Sequence, residues 1–240
     1  MNAALAQTDW AFRSPSTVVT NLVVATQAVI LVRRLLPGAR YENVRPWLFF
    51  FAWMAIAALA GAVKHGEIGS RPVMWYWAVV VSNTAVVVAS AFAELITVRT
   101  LIRNLRVRAW LERIIIAQIG VVFVTTVVRP DFLPAFVATV LGLTPVLLVE
   151  SLRSLRDRPG ASAIASGFAL TAMGGLAYAF RISLAPWLNY IDIAHLFTVA
   201  SLALIYRGVL ERAGPDLAGE VDGADAAADA DGRGWSWLGT

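Results

Sequence analysis

The sequence has no cysteine and little charge: of its 240 residues, only 15% are charged. The absence of cysteine excludes disulfide bonds, thiolate metal sites and a cysteine nucleophile. The choice of basic residues is also uneven, because Lys64 is the single lysine beside 19 arginines. Histidine is nearly as scarce, with His65 and His195 as the only two. Any chemistry that needs an imidazole must therefore use one of these two positions.

Apolar residues dominate the chain. They make up 58% of the sequence, and the mean hydropathy is +0.67, which is too apolar for a soluble domain of this size. Seven apolar runs are each near the length needed to cross about 30 Å of hydrocarbon. These runs are residues 18–36, 46–64, 73–97, 110–128, 132–150, 161–181 and 188–210. The sequence therefore predicts an all-α, polytopic membrane protein with a single bundle of seven transmembrane helices.

Basic residues are concentrated in every second link of the predicted bundle. Fourteen fall in the links after the first, third and fifth helices and at the end of the seventh, against five on the opposite side. Because positively charged links stay in the cytoplasm, this pattern predicts the N-terminus outside and the C-terminus inside. Residues 1–17 then form a short extracytoplasmic N-terminus and residues 18–212 the transmembrane domain. The acidic composition of residues 213–240, rich in alanine and glycine, predicts a disordered cytoplasmic tail.

The charge of the chain indicates its surroundings. Residues 213–240 carry six acidic side chains and one arginine, which gives this tail a net charge of −5. Because the whole chain carries +4, residues 1–212 carry +9. In a membrane protein such an excess reports topology and anionic head groups, not nucleic acid. We therefore expect membrane lipids as partners, with a protein partner or a second copy of the chain as further candidates. A bacterial inner membrane is the expected location.

An ionisable pair opens the seventh predicted helix. Asp192 and His195 are three residues apart, so their side chains share one helical face. A carboxylate at membrane depth costs about 2.5–3.5 kcal/mol on insertion scales, and it is rarely there without a partner or a task. His65 ends the second helix, which the alternation of helices brings to the same end. We therefore expect the second and seventh helices to be neighbours, with these three side chains facing each other.

Three kinds of site fit these residues. The first is a metal site in which His65, Asp192 and His195 bind zinc or iron, and the catalytic pair Asp192 and His195 helps a metal-bound water attack a lipid ester or amide. The second is a haem held between the two histidines, with Arg129 and Arg181 at its propionates. The third is structural: Asp192 pairs with His65, His195 or Arg181 and ties helices together or lines a polar cavity.

Other polar and aromatic residues are candidates for substrate contacts. Asn189 and Trp75 belong to the same end of the predicted bundle, as does Arg181. Deeper polar side chains occur one each on four helices: Gln27, Asn83, Gln118 and Thr144. Such groups bond across helices or form the wall of a substrate cavity. Of these four, we take Asn83 as the candidate for substrate binding.

Two short stretches carry a resemblance to a known family. The second helix ends with Gly61-Ala62-Val63-Lys64-His65, and the seventh opens with Asp192-Ile193-Ala194-His195. Together with the seven helices, they resemble the CREST superfamily, which includes alkaline ceramidases and the progestin and adipoQ receptors. The resemblance implies a zinc-dependent lipid amidase.

The chain departs from the pattern of that superfamily at three places. Gly61 stands where the family has a serine, and the third helix offers Asn83 but no aspartate. Val199 stands where a second histidine of the seventh helix would be, so under this resemblance Asp192 would replace that histidine as a zinc ligand.

The leading expectation is a membrane protein with a polar His/Asp site at the extracytoplasmic end, acting as a metal-dependent hydrolase of lipid amides or esters. The alternative is a non-enzymatic seven-helix subunit or sensor that binds a lipid, a cofactor such as bis-histidine haem, or a partner protein.

Overall fold

The computed structural model describes residues 15–66, 72–185, 187–214, 217 and 219. Within these ranges the chain is helical apart from its links, and the only extended pairing is an isolated bridge between Ala185 and Leu188. The helices are α1 (Pro15–Leu35), α2 (Arg45–Gly66), α3 (Pro72–Leu101), α4 (Leu105–Val128), α5 (Leu133–Ser154), α6 (Ala161–Ala179) and α7 (Tyr190–Ala213). All seven are long and apolar enough to cross a membrane, which confirms the predicted seven-helix bundle.

Most of the two predicted terminal segments lies outside the described residues, including residues 1–14 and 220–240. The disorder predicted for the acidic tail therefore stays a prediction. So does the orientation of the bundle with its N-terminus outside and its C-terminus inside.

The largest boundary difference is in the arginine-rich link between α3 and α4. The sequence predicts a link over residues 98–109, whereas only residues 102–104 separate the two helices. Arg99 Nε and Arg108 Nε both donate to Glu112 Oε1, at 2.9 and 3.1 Å. The Arg99 pair joins the last turn of α3 to α4, and the Arg108 pair lies within the first turns of α4. Charged residues therefore remain helical where the apolar pattern has ended.

Six of the helices form a closed ring in the order α1, α2, α3, α5, α6, α7 and back to α1, and α4 packs outside it against α3 and α5. Only Ile115, Val122 and Thr126 of α4 are buried. The backbones of α2 and α7 are bridged by α1, which packs against both helices. Side chains of α2 and α7 still meet, since the ring centroids of Phe51 and Tyr206 are 6.5 Å apart. The first helix is therefore the element that joins the two histidine-bearing helices.

Small residues set the closest helix contacts. A Cβ atom added at Gly61 of α2 would lie 2.5 Å from Asn21 Oδ1 of α1, and one added at Gly167 of α6 would lie 2.6 Å from Ile205 Cγ1 of α7. Such residues let backbones approach closely where lipid removes the usual hydrophobic drive between helices. These contacts hold α1 on α2 and α6 on α7.

Three of the four deep polar side chains bond to another helix or link. The side-chain amides of Gln27, Gln118 and Asn83 donate to the backbone carbonyls of Val199, Ala138 and Asp131 at 2.8–2.9 Å. Thr144 differs, since its hydroxyl donates to Val140 O within α5. The amides therefore act between helices, which is the simpler of the two roles that the sequence allows.

Consecutive helices run in opposite directions, so the bundle has two distinct ends. We call the end with the starts of α1, α3, α5 and α7 the histidine end, because His65 and His195 lie there, and the other the arginine end. At the arginine end a buried ion pair joins α7 to α5, with Arg212 Nη2 2.5 Å from Glu150 Oε2. Arg153 Nε lies 3.9 Å from the same oxygen.

Candidate functional site

The seventh helix begins with a complete capping box. Asn189 Oδ1 accepts the backbone N–H groups of Ile191 and Asp192 at 2.8 and 3.2 Å. In return, Asp192 Oδ2 accepts the backbone N–H of Asn189 at 3.1 Å. Both groups satisfy donors that a helix start leaves unpaired, and the helix dipole favours a negative charge at this position. The local sequence thus fixes the Asp192 carboxylate at the first turn of α7.

The same carboxylate binds the first helix. Asp192 is 0% exposed, and it accepts the hydroxyls of Ser16 and Thr17, each at 2.7 Å, on different oxygens. Thr17 in turn accepts Asn189 Nδ2 at 3.1 Å. Every partner that we describe for Asp192 is a donor, and the two short distances are typical of charge-assisted hydrogen bonds. The arrangement is that of a buried carboxylate whose charge is balanced by hydroxyl and backbone donors.

A third hydroxyl connects this carboxylate to the imidazole of His195. Thr20 Oγ1 lies 2.9 Å from His195 Nδ1 and 3.3 Å from Asp192 Oδ1. The Thr20 oxygen is also 3.2 Å from Thr17 O. Because a threonine hydroxyl has one proton, donation to Asp192 requires His195 to carry its proton on Nδ1 and donate it to Thr20. His195 Nε2 is then left as a hydrogen-bond and proton acceptor.

The second histidine lies beside this network. His65 is half-buried in the last turn of α2, and its imidazole is within electrostatic range of Lys64, His195 and Asp192. His195 likewise interacts electrostatically with Lys64 and Asp192. The histidine end therefore gathers two imidazoles, one cation and one buried carboxylate.

Aromatic rings adjoin the polar groups. The aromatic cluster, as we call it, consists of Phe132, Phe136, Tyr178 and Tyr190, with neighbouring ring centroids 5.0–6.1 Å apart. Lys64 Nζ lies 5.7 Å from the centroid of the Phe132 ring. Since α5, α6 and α7 all contribute to the cluster, it forms an apolar wall beside Lys64.

The remaining predicted site residues are dispersed. Asn83 is fully buried and bonded to Asp131 O, so it joins α3 to the α4–α5 link instead of facing a ligand. Arg129 is exposed and lies 3.9 Å from Asp131, and Arg181 is exposed in the α6–α7 link. Trp75 is partly exposed in the first turn of α3, and no described contact joins it to His195. Of the predicted substrate residues, only Asn189 belongs to the Asp192 network.

The ligand set predicted for a metal does not fit this geometry. Among the residues that the structure describes, no three His, Asp or Glu side chains are grouped closely enough to hold a metal ion. Both oxygens of Asp192 are already 2.7 Å from hydroxyl donors, so this carboxylate is not open as a third ligand to His65 and His195. Zinc and haem binding stay predictions from the sequence.

The hydroxyls of α1 are the part of the site that sequence reasoning missed. Thr17 and Thr20 are three residues apart and Asn21 follows, which places polar groups on one face of an apolar helix. That spacing was a usable signal. However, hydroxyls in apolar helices commonly bond to the backbone of their own helix, so the pattern alone names no partner on α7.

Comparison with known proteins identifies one match. Residues 16–213 fit the model of a family described as a family of unknown function (DUF6962). No curated protein and no solved structure shows significant similarity to the chain.

Proposed function

Because the chain belongs to the DUF6962 family, whose function is unknown, we propose a function from the geometry of the histidine end. We propose that the protein binds the polar head group of an amphiphile there, with His195 Nε2 accepting a hydrogen bond or a proton from it. The observation that carries the proposal is the position of the Thr20 hydroxyl, 2.9 Å from His195 Nδ1 and 3.3 Å from Asp192 Oδ1.

The hydrogen bonds of Thr20 determine which nitrogen of the His195 imidazole faces a ligand. Of the acceptors near Thr20, the Asp192 carboxylate is the strongest, so we expect the hydroxyl proton to point to it. His195 then donates from Nδ1, which fixes its tautomer and leaves Nε2 basic. In metal sites, a carboxylate or carbonyl that accepts the other N–H of a histidine fixes the tautomer and the orientation of the ring in a similar way. The buried Asp192 is thus a positioning residue, and Nε2 is the group offered to a ligand.

The surroundings of that nitrogen also favour an amphiphile. Lys64 and His65 supply a cation and a second imidazole within electrostatic range of His195. The aromatic cluster adjoins them through the contact of Lys64 with Phe132. Ligand sites are typically apolar surfaces with a few convergent polar groups. Polar groups beside an aromatic wall, at the end of a membrane bundle, suit a molecule with a polar head and an apolar tail.

The test is to identify the amphiphiles that remain with the purified protein. Wild-type protein and three variants are purified in the same detergent, and bound lipids are extracted and quantified by mass spectrometry per mole of protein. We expect an amphiphile near one per chain in the wild type. His195→Asn should lose it, because asparagine can keep the bond to Thr20 but lacks an atom at Nε2. His65→Gln should retain less than the wild type.

Thr144→Val is the matched control, since Thr144 is exposed on α5 and bonds only within its own helix. It should retain the same lipids as the wild type. The proposal fails if His195→Asn, folded by circular dichroism, retains the wild-type lipids in wild-type amounts.

Hydrolysis is a second candidate function, favoured by the connection from Asp192 through Thr20 to His195. In this reaction His195 Nε2 takes a proton from water while the water oxygen attacks an ester or amide carbonyl. The same nitrogen then returns the proton to the departing alcohol or amine as the acyl bond breaks. Lys64 would stabilise the negative charge that develops on the carbonyl oxygen.

This candidate is tested with fluorescent acyl-ester and acyl-amide lipids in mixed micelles. A general base of this kind contributes about 10²–10⁴-fold in rate, so His195→Asn should lower product release by that factor. Thr20→Val, which removes the connection to Asp192, should lower it less. Equal rates in the wild type and His195→Asn would contradict hydrolysis and leave the binding proposal in place.

A further inference from the structure

The third and fifth helices run side by side in the same direction and in register. Near the histidine end Asn83 of α3 donates to Asp131 O, just before α5 begins. Further along, the carboxyl group of Glu94 lies against Gly142. The sequence separation between Glu94 and Gly142 equals that between Asn83 and Asp131. Buried small residues of α5, including Ala135 and Ala138, allow this approach. The register places Glu94 inside the α3–α5 interface.

Glu94 is a buried carboxyl group with an unpaired oxygen. It is 8% exposed, and Oε1 is buried and has no hydrogen-bond partner among the described residues. Gly142 provides the space, because a Cβ atom there would overlap Oε1. Glu94 lies seven positions before Leu101, the last residue of α3, which places it about 10 Å from the end of the helix. The carboxyl group therefore lies between α3 and α5 and not at the exposed end of α3.

None of the charged groups on the helices around Glu94 is placed to balance a negative charge on it. On α2, Lys64 and His65 are at the histidine end, far along the bundle. On α4, Arg108 and Glu112 pair with each other, and on α5 Arg153 and Glu150 do the same. Arg99 of α3 also bonds to Glu112, and Arg212 of α7 bonds to Glu150. The remaining cations of α2 and α4 are exposed at the arginine end: Arg45, Arg106 and Arg113.

We propose that Glu94 is a proton-binding site in the α3–α5 interface, occupied as a neutral carboxylic acid at pH 7. A buried carboxylate without a cation or donors is far more costly than its protonated form, which removes the charge. The unpaired Oε1 is consistent with the neutral acid, because a neutral carbonyl oxygen loses less free energy than an ionised oxygen when it lacks a hydrogen-bond donor. The same acid is the form that apolar carbodiimides modify: its O–H adds across the N=C bond, and the acylisourea then rearranges to a stable N-acylurea.

The test is infrared spectroscopy at pH 7 of the full chain reconstituted in vesicles of ether-linked lipids, which have no ester carbonyl to overlap the band of an acid. An ordinary glutamate, with a pKa of about 4.3, is ionised there. We expect a carbonyl band of a protonated carboxylic acid in the wild type, shifted by deuterium exchange and absent in Glu94→Gln. Glu150→Gln, which changes a buried glutamate that has an arginine partner, should retain the band. Persistence of the band in Glu94→Gln, or its absence from the wild type, would overturn the proposal.

A second variant guards against misfolding of Glu94→Gln. Gly142→Ala leaves the acid in place and crowds its oxygen, so the band should shift in frequency. Gly120→Ala, where an added Cβ meets nothing within 4 Å, should leave the band unchanged. An unshifted band in Gly142→Ala would contradict the assignment to Glu94, because the three atoms nearest to a Cβ at that glycine all belong to the Glu94 carboxyl group.

Discussion

At the scale of single residues, the account depends on hydroxyl groups that donate to one buried carboxylate. Ser16, Thr17 and Thr20 of α1 all lie within 3.3 Å of Asp192 oxygens. Removing a hydrogen-bond donor from a buried ionic acceptor lowers the free energy of unfolding by about 1.5–3 kcal/mol, more than for a neutral acceptor. The α1 hydroxyls should therefore matter for stability as well as for the orientation of His195.

Replacing Thr17 tests this dependence. Thr17→Val keeps the volume of the side chain and removes the donor to Asp192 Oδ1, so we expect a loss of about 1.5–3 kcal/mol in unfolding free energy. The measurement is unfolding by sodium dodecyl sulfate in mixed micelles, followed by circular dichroism. Thr198→Val is the control, because that hydroxyl donates only to Ala194 O within α7. Equal stabilities of the two variants would contradict the role of Thr17.

Sequence reasoning found half of this residue-level arrangement. The spacing of Asp192 and His195 and the cost of a buried carboxylate pointed to a pair with a partner. Asn189 was a candidate for substrate contact, whereas its side chain caps α7. The partner itself was missed. His65 was favoured because imidazoles are rare and conspicuous, whereas hydroxyls on α1 are common residues whose usual bonds are local.

At the scale of helices, close contact between α6 and α7 supports the position of the site. A Cβ at Gly167 would lie 2.6 Å from Ile205 Cγ1 and 2.9 Å from Ser201 O. Because the backbone oxygen of Ser201 cannot rotate away as a flexible side chain can, a Cβ atom at Gly167 would force the two helices apart. The contact near Gly174 of α6 with Ala194 and Phe197 shows that the same pair of helices stays close up to the histidine end.

Gly167→Ala should therefore destabilise the bundle by about 1–3 kcal/mol, the usual cost of overpacking a well-filled contact. Gly120→Ala on α4 is the matched substitution with open space around it. It should be neutral or stabilising by up to about 1 kcal/mol, because alanine is the better helix former. Thermal unfolding of both proteins in one detergent compares them, and a Gly167→Ala variant as stable as Gly120→Ala would argue against close packing of α6 on α7.

At the scale of the whole molecule, the ring of helices is joined by polar contacts at both ends. The Asp192 network joins α7 to α1 at the histidine end, and the pair of Arg212 with Glu150 joins α7 to α5 at the arginine end. Glu150 is 1% exposed, and Arg212 is its nearest ion-pair partner. The seventh helix is thus anchored to two different neighbours across the bundle.

Breaking the buried pair should have a large effect. Arg212→Met leaves Glu150 with only the more distant Arg153, and we expect a loss of about 3–5 kcal/mol in unfolding free energy. The double variant Glu150→Gln with Arg212→Met should cost less than the sum of the two single changes, because neither charge is then left alone. Arg207→Met is the control, since its pair with Glu211 is exposed and worth about 1 kcal/mol or less. Additive losses in the double variant would contradict the pairing.

The number of helices was predictable at this scale, and their arrangement was not. Apolar runs of membrane-spanning length, separated by Arg, Pro and Gly, define seven spans without knowledge of contacts. Ring order depends on which faces meet, and an all-apolar helix has no distinctive face toward a neighbour. Here the order follows from particular contacts, such as Gly61 against Asn21 and Thr17 against Asp192, that no periodicity encodes.

The central claim is that Thr20 holds His195 with its proton on Nδ1 and leaves Nε2 as the acceptor. The most direct measurement is ¹⁵N nuclear magnetic resonance of histidine-labelled protein in lipid, in a His65→Gln background that leaves a single imidazole. The account predicts a neutral ring protonated at Nδ1, which changes to the other tautomer or to a mixture when Thr20→Val removes the hydroxyl. A ring protonated at Nε2 in both proteins would contradict it.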